Sequence, residues 1–176
     1  GYQLWGVALV PFHPDESSLL FQSRDFEAIF RSPTSLAWSA DRQPDPELSY
    51  RLLNAPLPKY VLGFGRWLAG VDGAEVSVDW DWSQDWIANL GAGALPTPSA
   101  LLAGRIASSG LLPFAALFLY LGGKQLGGPW VGGLAAAFLG LNALVLVHGR
   151  RAMAEGTLIF AICFALWSLL EPRKRP

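Results

Sequence analysis

Residues 129–147 read PWVGGLAAAFLGLNALVLV, 19 side chains without a charge. A helix rises about 1.5 Å per residue and a bilayer's hydrocarbon core is about 30 Å thick, so about 20 such residues cross it. Two neighbouring stretches share this character. Residues 100–122 run from Ala100 to Gly122 with Arg105 as the one charge, and 152–170 carry only Glu155, near their start. A helix in a soluble core keeps one polar face, and these three have almost none. The glycines and alanines of 129–147 suit close helix packing in lipid. Composition agrees: 52% of the 176 residues are hydrophobic and 15% are charged, against about 25% charged in soluble domains.

The expected fold is therefore all-α: polytopic transmembrane helices with a long extracytoplasmic loop that contains amphipathic juxtamembrane helices. Residues 1–12 (GYQLWGVALVPF) are apolar but too short to span. They lack an initiator Met and a basic leader, so these residues are not expected to be a signal peptide. They read as the end of a truncated first transmembrane helix. The loop is 13–99, and 100–176 holds three spans and a basic tail. Arg173, Lys174 and Arg175 place that tail in the cytoplasm and 13–99 and 148–155 outside. The paired Arg150 and Arg151 argue mildly against this orientation. The localisation expected is a multi-pass integral protein of a bacterial plasma membrane. Net charge is −1, which gives no ground for a nucleic-acid partner. Cys163 is the only cysteine, so a disulfide framework is excluded and a buried, inert thiol is expected.

Residues 13–99 hold 18 of the 27 charged side chains, 12 of them acids, and five of the eight tryptophans. Tryptophans favour the membrane interface and also stack on sugars. In 16–31, Leu19, Leu20, Phe26, Ile29 and Phe30 recur at helical spacing, which predicts a helix along the membrane surface. A second is predicted over 57–69 and a third over 80–90. Pro44, Pro46 and the acidic 70–79 read as loop. Thr97 and Pro98 predict the start of the next helix, as cap and first residue.

Two short motifs carry the candidate chemistry. His13-Pro14-Asp15-Glu16 suits a helix start, with two acids in the first turn. It also places a carboxylate at the membrane surface, where it could act as a general base. His148-Gly149-Arg150-Arg151-Ala152-Met153-Ala154-Glu155 precedes the last span. Arg151 and Glu155 share a helix face if this segment is helical, and an arginine can clamp a phosphate with two parallel hydrogen bonds. Charges at membrane helix ends are functional candidates by default. Lys59, in Ala55-Pro56-Leu57-Pro58-Lys59-Tyr60, offers a point charge to a lipid phosphate, or marks a Pro-rich turn. Arg105 is expected to snorkel to the outer interface. No cofactor is required. A divalent metal held by His13, His148, Asp15 and Glu155 is allowed, on the thin ground of two histidines without close ligand spacing.

These motifs together resemble the N-terminal part of GT-C class membrane glycosyltransferases. The likeness is to the phospholipid-carrier-dependent branch of protein O-mannosyltransferases and aminoarabinose transferases. Its carriers are HPDE, APLPKY, AGRIAS and HGRRAMAEGTLIF. Ala55 stands where the family's second motif has its first proline. The resemblance implies sugar transfer, with inversion, from a polyprenyl-phosphate donor to an acceptor protein, lipid or glycan of the cell envelope. It implies Asp15 as catalytic base with Glu16 beside it, and Lys59, Arg150 and Arg151 at the donor phosphate. Glu155 forms the second acidic motif. It also implies that the chain is a piece of a longer enzyme with membrane lipids as neighbours, inactive in isolation. The alternative expectation is a non-catalytic membrane scaffold or transporter fragment whose charges anchor helix ends.

Overall fold

A computed structural model describes residues 2–39, 41 and 46–170. The basic tail at 171–176 and Pro44 lie outside the described residues. Within them the chain is helical and has no strand. The helices are α1 (Pro14–Gln22), α2 (Asp25–Arg31), α3 (Pro46–Leu53), α4 (Pro56–Leu68), α5 (Trp86–Gly91), α6 (Pro98–Ser109), α7 (Leu112–Leu141), α8 (Ala143–Gly149) and α9 (Ala154–Leu170).

Local chemistry explains the starts. Thr97 Oγ1 accepts the Ala100 N–H and Pro98 opens α6, as expected. At α1, the His13 ring accepts the Asp15 N–H while Glu16 accepts the His13 N–H, a reciprocal cap behind Pro14. The helix expected over 16–31 divides into α1 and α2 at Ser23 and Arg24. The helix expected over 80–90 shortens to α5, because Asp81 accepts the Ser83 N–H in the turn before it and Asp85 caps the helix by accepting the Ala88 N–H. Residues 2–12 are not the α-helical exit of a span. Gly6 takes φ +80° and a short 3-10 turn, Val7–Leu9, follows it.

Among the described residues one helical run is long and apolar enough to cross a membrane: Pro98–Leu141, 44 residues with mean hydropathy 1.6. α8 and α9 qualify as a pair, bent by 120° at the break between them. The 44-residue run is not straight. Gly127 and Gly128 have non-helical backbone, and Gly128 takes φ +84°. A Cβ on Gly123 would lie 2.8 Å from the Gly132 Cα. Nine residues of straight helix would separate those two by about 13 Å. The chain therefore reverses at Gly127–Gly128, and the arms 112–126 and 129–141 lie antiparallel. The reversal falls between the two spans expected over 100–122 and 129–147. The second arm ends at Asn142, whose side chain accepts the Leu144 and Val145 N–H groups and starts α8.

α7 packs on α9, α4 packs on α6, and α1 lies over both α4 and α6. Leu20, Leu62, Val76 and Ala152 form one small buried apolar cluster. Beside it lies a layer of buried charge.

Candidate functional site

Glu16 is the centre of the buried layer, with none of its surface exposed. Arg105 grips it with two parallel bonds, Nε to Oε1 at 2.8 Å and Nη2 to Oε2 at 2.8 Å. The Ala152 N–H donates to Oε1 at 2.8 Å and the His13 N–H to Oε2 at 3.0 Å. Arg105 Nη1 reaches the carbonyls of Val7 and Val10. One carboxylate thus joins the start of α1, the middle of α6 and the 150–153 turn. This corrects two expectations. Arg105 does not snorkel, because a matched carboxylate lies within reach inside the fold. Glu16 is not available as a base, because four donors hold its two oxygens.

Asp15 points elsewhere. It stands in the first turn of α1, half exposed, with its Oδ2 3.4 Å from the His13 Nδ1. That nitrogen also accepts the Asp15 N–H, at 3.3 Å. Glu155 stands in the first turn of α9, with Oε1 3.9 Å from the His148 Nδ1. Its buried Oε2 has no hydrogen-bond partner among the described residues. Asp15 and Glu155 line one cavity of about 520 Å³. Gln22, Tyr50, Asn54 and Trp82 complete its polar wall, and Leu19, Met153 and Leu158 give it an apolar side. Each of the two acidic motifs thus places a carboxylate at one cavity.

The cations do not converge there. Lys59 is 3% exposed, and its Nζ lies 2.6 Å from Asp25 Oδ2. Arg51 forks onto the same carboxylate. Burial pushes the Asp25 carboxyl up, and these two cations outweigh it and hold it below the ordinary range. Lys59 is therefore a structural partner of Asp25, not a free phosphate ligand. Arg150 Nε donates to the Gln3 carbonyl at 3.0 Å and Nη2 to the Tyr2 carbonyl at 2.9 Å, with the guanidinium over the Tyr2 ring. Arg151 makes no side-chain hydrogen bond among the described residues, and its buried Nε has no partner. None of the three lines the cavity.

Sequence reasoning missed Tyr50, Asn54 and Trp82 as cavity residues. Burial and a hydrogen bond to Asp79 push the Tyr50 hydroxyl up to about 12. No group of three or more His, Cys, Asp or Glu side chains gathers as a metal site among the described residues. His13, His148, Asp15 and Glu155 thus form two separate pairs and do not fit the divalent ion that the sequence allowed. No family model matches the chain, no curated protein matches its sequence, and no solved structure matches its fold.

Proposed function

We propose that this chain carries the acid-lined mouth of a polyprenyl-phosphate-sugar-dependent glycosyltransferase of the GT-C class, set in a membrane by α6, the α7 hairpin and α9. The supporting observation is the cavity. Two helices distant in sequence each deliver a first-turn carboxylate to one space, which is polar on one wall and apolar on the other. Such a space suits a sugar carried on a lipid. The membrane placement draws support from side chains such as Trp130, Phe138, Leu141 and Leu169, all largely exposed on these helices.

In this reading Asp15 takes the proton from an acceptor hydroxyl. The acceptor oxygen forms its bond to the anomeric carbon as the bond from that carbon to the phosphate oxygen breaks. The leaving lipid phosphate departs with the electron pair. Of the three cations assigned to it from sequence, Arg151 alone keeps its guanidinium uncommitted, so it is the one proposed to meet the phosphate.

Asp15→Asn in the full-length protein tests the assignment. Loss of a general base lowers transfer by about 10²–10⁴-fold, with membrane insertion unchanged. Transfer at the wild-type rate would sink it. One observation favours the alternative of a non-catalytic scaffold or transporter: Glu16, Lys59 and Arg150 all serve structural contacts. That alternative expects no transfer activity from the wild-type full-length protein with polyprenyl-phosphate sugars.

A further inference from the structure

Helix α4 is inside out. Lys59, Leu62, Gly63 and Arg66 recur at spacings of three and four and face inward. Arg66 is fully buried, and it donates to both Glu27 oxygens at 3.0 Å, to the Ser23 hydroxyl and carbonyl and to the Val71 carbonyl. The opposite face shows Leu57, Phe64, Trp67 and Leu68, all exposed. Phe30 of α2 joins them. The rings of Phe26, Phe30, Phe64 and Trp67 form one cluster with centroids 5.5–6.3 Å apart. In water a helix turns its charges out and its rings in. In lipid the ionisable groups face the protein interior and pair.

What covers this face follows from its neighbours. α4 packs on α6 so closely that a Cβ on Gly65 would collide with Ala107. On α6, Leu102 and Ile106 are exposed beside that contact. The apolar surface of α4 is thus continuous with the apolar run Pro98–Leu141. At its edge stands Arg31, exposed, with only a 3.6 Å contact to Asp72. A cation at the rim of an apolar face suits the level of lipid phosphates.

We infer that the outward face of α4, with Phe30 of α2, is sunk into the outer leaflet of the bilayer, with Arg31 at the headgroups. α4 is too short to span, at 13 residues, so it enters the leaflet without crossing. This rests on the membrane placement proposed above, but not on the glycosyltransferase chemistry.

The experiment is nitroxide accessibility in the full-length protein, reconstituted in phosphatidylcholine–phosphatidylglycerol vesicles. Labels go on Phe64→Cys and Leu68→Cys in a Cys163→Ala background. Phe138→Cys serves as the reference on the hairpin and Gln84→Cys as the reference on the outer loop. Oxygen concentrates in lipid and a nickel chelate stays in water. The α4 labels are expected to favour oxygen, with the sign of the Phe138 site and opposite to that of the Gln84 site. If they favour the nickel chelate while Phe138 favours oxygen, the α4 face lies in water and the inference falls, leaving the membrane placement intact. If they are shielded from both, protein covers the face, and the inference also falls. If the Phe138 site itself favours the chelate, both fall together.

Discussion

The α4 region and the α7 hairpin both present apolar side chains outward, yet they hold together by opposite means. Inside α4 the contacts are directional: Arg66 on Glu27, and Lys59 with Arg51 on Asp25. Inside the hairpin they are steric: the Gly123 and Gly132 backbones touch, with no charge between them. Directional contacts fix angles as well as distances. The region that shapes the cavity is built from them, and the region that only needs two arms side by side is not. Removing one partner from a buried pair leaves a charge without a solvent. Adding a methyl group to a backbone contact only pushes two arms apart.

The largest stability effect is therefore expected at Glu16. Breaking a buried, bidentate pair costs about 3–5 kcal/mol. Glu16→Ala strands Arg105 and the Ala152 N–H together, so it should lower the unfolding free energy in bicelles by that order. A loss under about 1 kcal/mol would show that the three segments are held by something else. The effect on function is distinct from that of Asp15→Asn. Glu16 positions the 150–155 segment through Ala152, so a variant with residual fold, such as Glu16→Gln, should weaken donor binding, raising KM more than it lowers kcat. An equal fall in kcat and kcat/KM with KM unchanged would return Glu16 to the reacting atoms.

A smaller effect is expected in the hairpin, where adjacent glycines provide their own control. A Cβ on Gly132 would collide with the Tyr120 carbonyl and lie 3.0 Å from the Lys124 nitrogen, whereas one on Gly133 would meet nothing within 4 Å. Overpacking typically costs about 1–3 kcal/mol. Gly132→Ala should cost that much in thermal unfolding, and Gly133→Ala should be neutral or slightly stabilising, since alanine is the better helix former. Equal effects at both sites would mean that the arms do not lie against each other at this level.

The contrast also explains what could be read in advance. Caps are local, so Thr97, Pro98 and the His13–Glu16 box showed their helix starts in the sequence. The length and greasiness of 100–122, 129–147 and 152–170 were likewise visible, but the break at Asn142, inside the stretch read as one span, was not. The direction in which α4 faces was not visible. Its two stripes, Leu57-Val61-Phe64-Leu68 and Lys59-Leu62-Gly63-Arg66, have the same period, and periodicity does not say which one meets the interior. Their partners decide it, and those lie 34 and 39 residues away for Lys59 and Arg66 and 89 away for Arg105 and Glu16. The candidate site was half legible for the same reason. Two acids at helix starts were readable as a pair once topology set their side. The fate of the cations depended on distant carboxylates that no spacing rule connects to them.

The smallest expected effect is a pH dependence, and it tests whether the ion pairs of the α4 region act as described. Asp25 has a folded pKa below its ordinary value of 3.8, because Lys59 and Arg51 outweigh the burial that opposes them. A carboxyl lowered by folding contributes stability that is fully present above the unfolded value and lost as pH falls through the folded one. Wild-type stability should therefore decline as pH drops below about 3.8, the unfolded reference. In Asp25→Asn that part of the decline should vanish. The variant should be the less stable of the two at neutral pH, where the wild-type carboxylate is charged and paired, and the gap should close in acid. The hairpin carries no acid and so supplies the comparison: Gly132→Ala should shift the stability curve without changing its slope against pH. If Asp25→Asn leaves the acid slope as steep as in the wild type, the charge on Asp25 does not hold α4 to α2. The inward orientation of Lys59 and Arg66 would then owe more to the lipid outside α4 than to the carboxylates inside it.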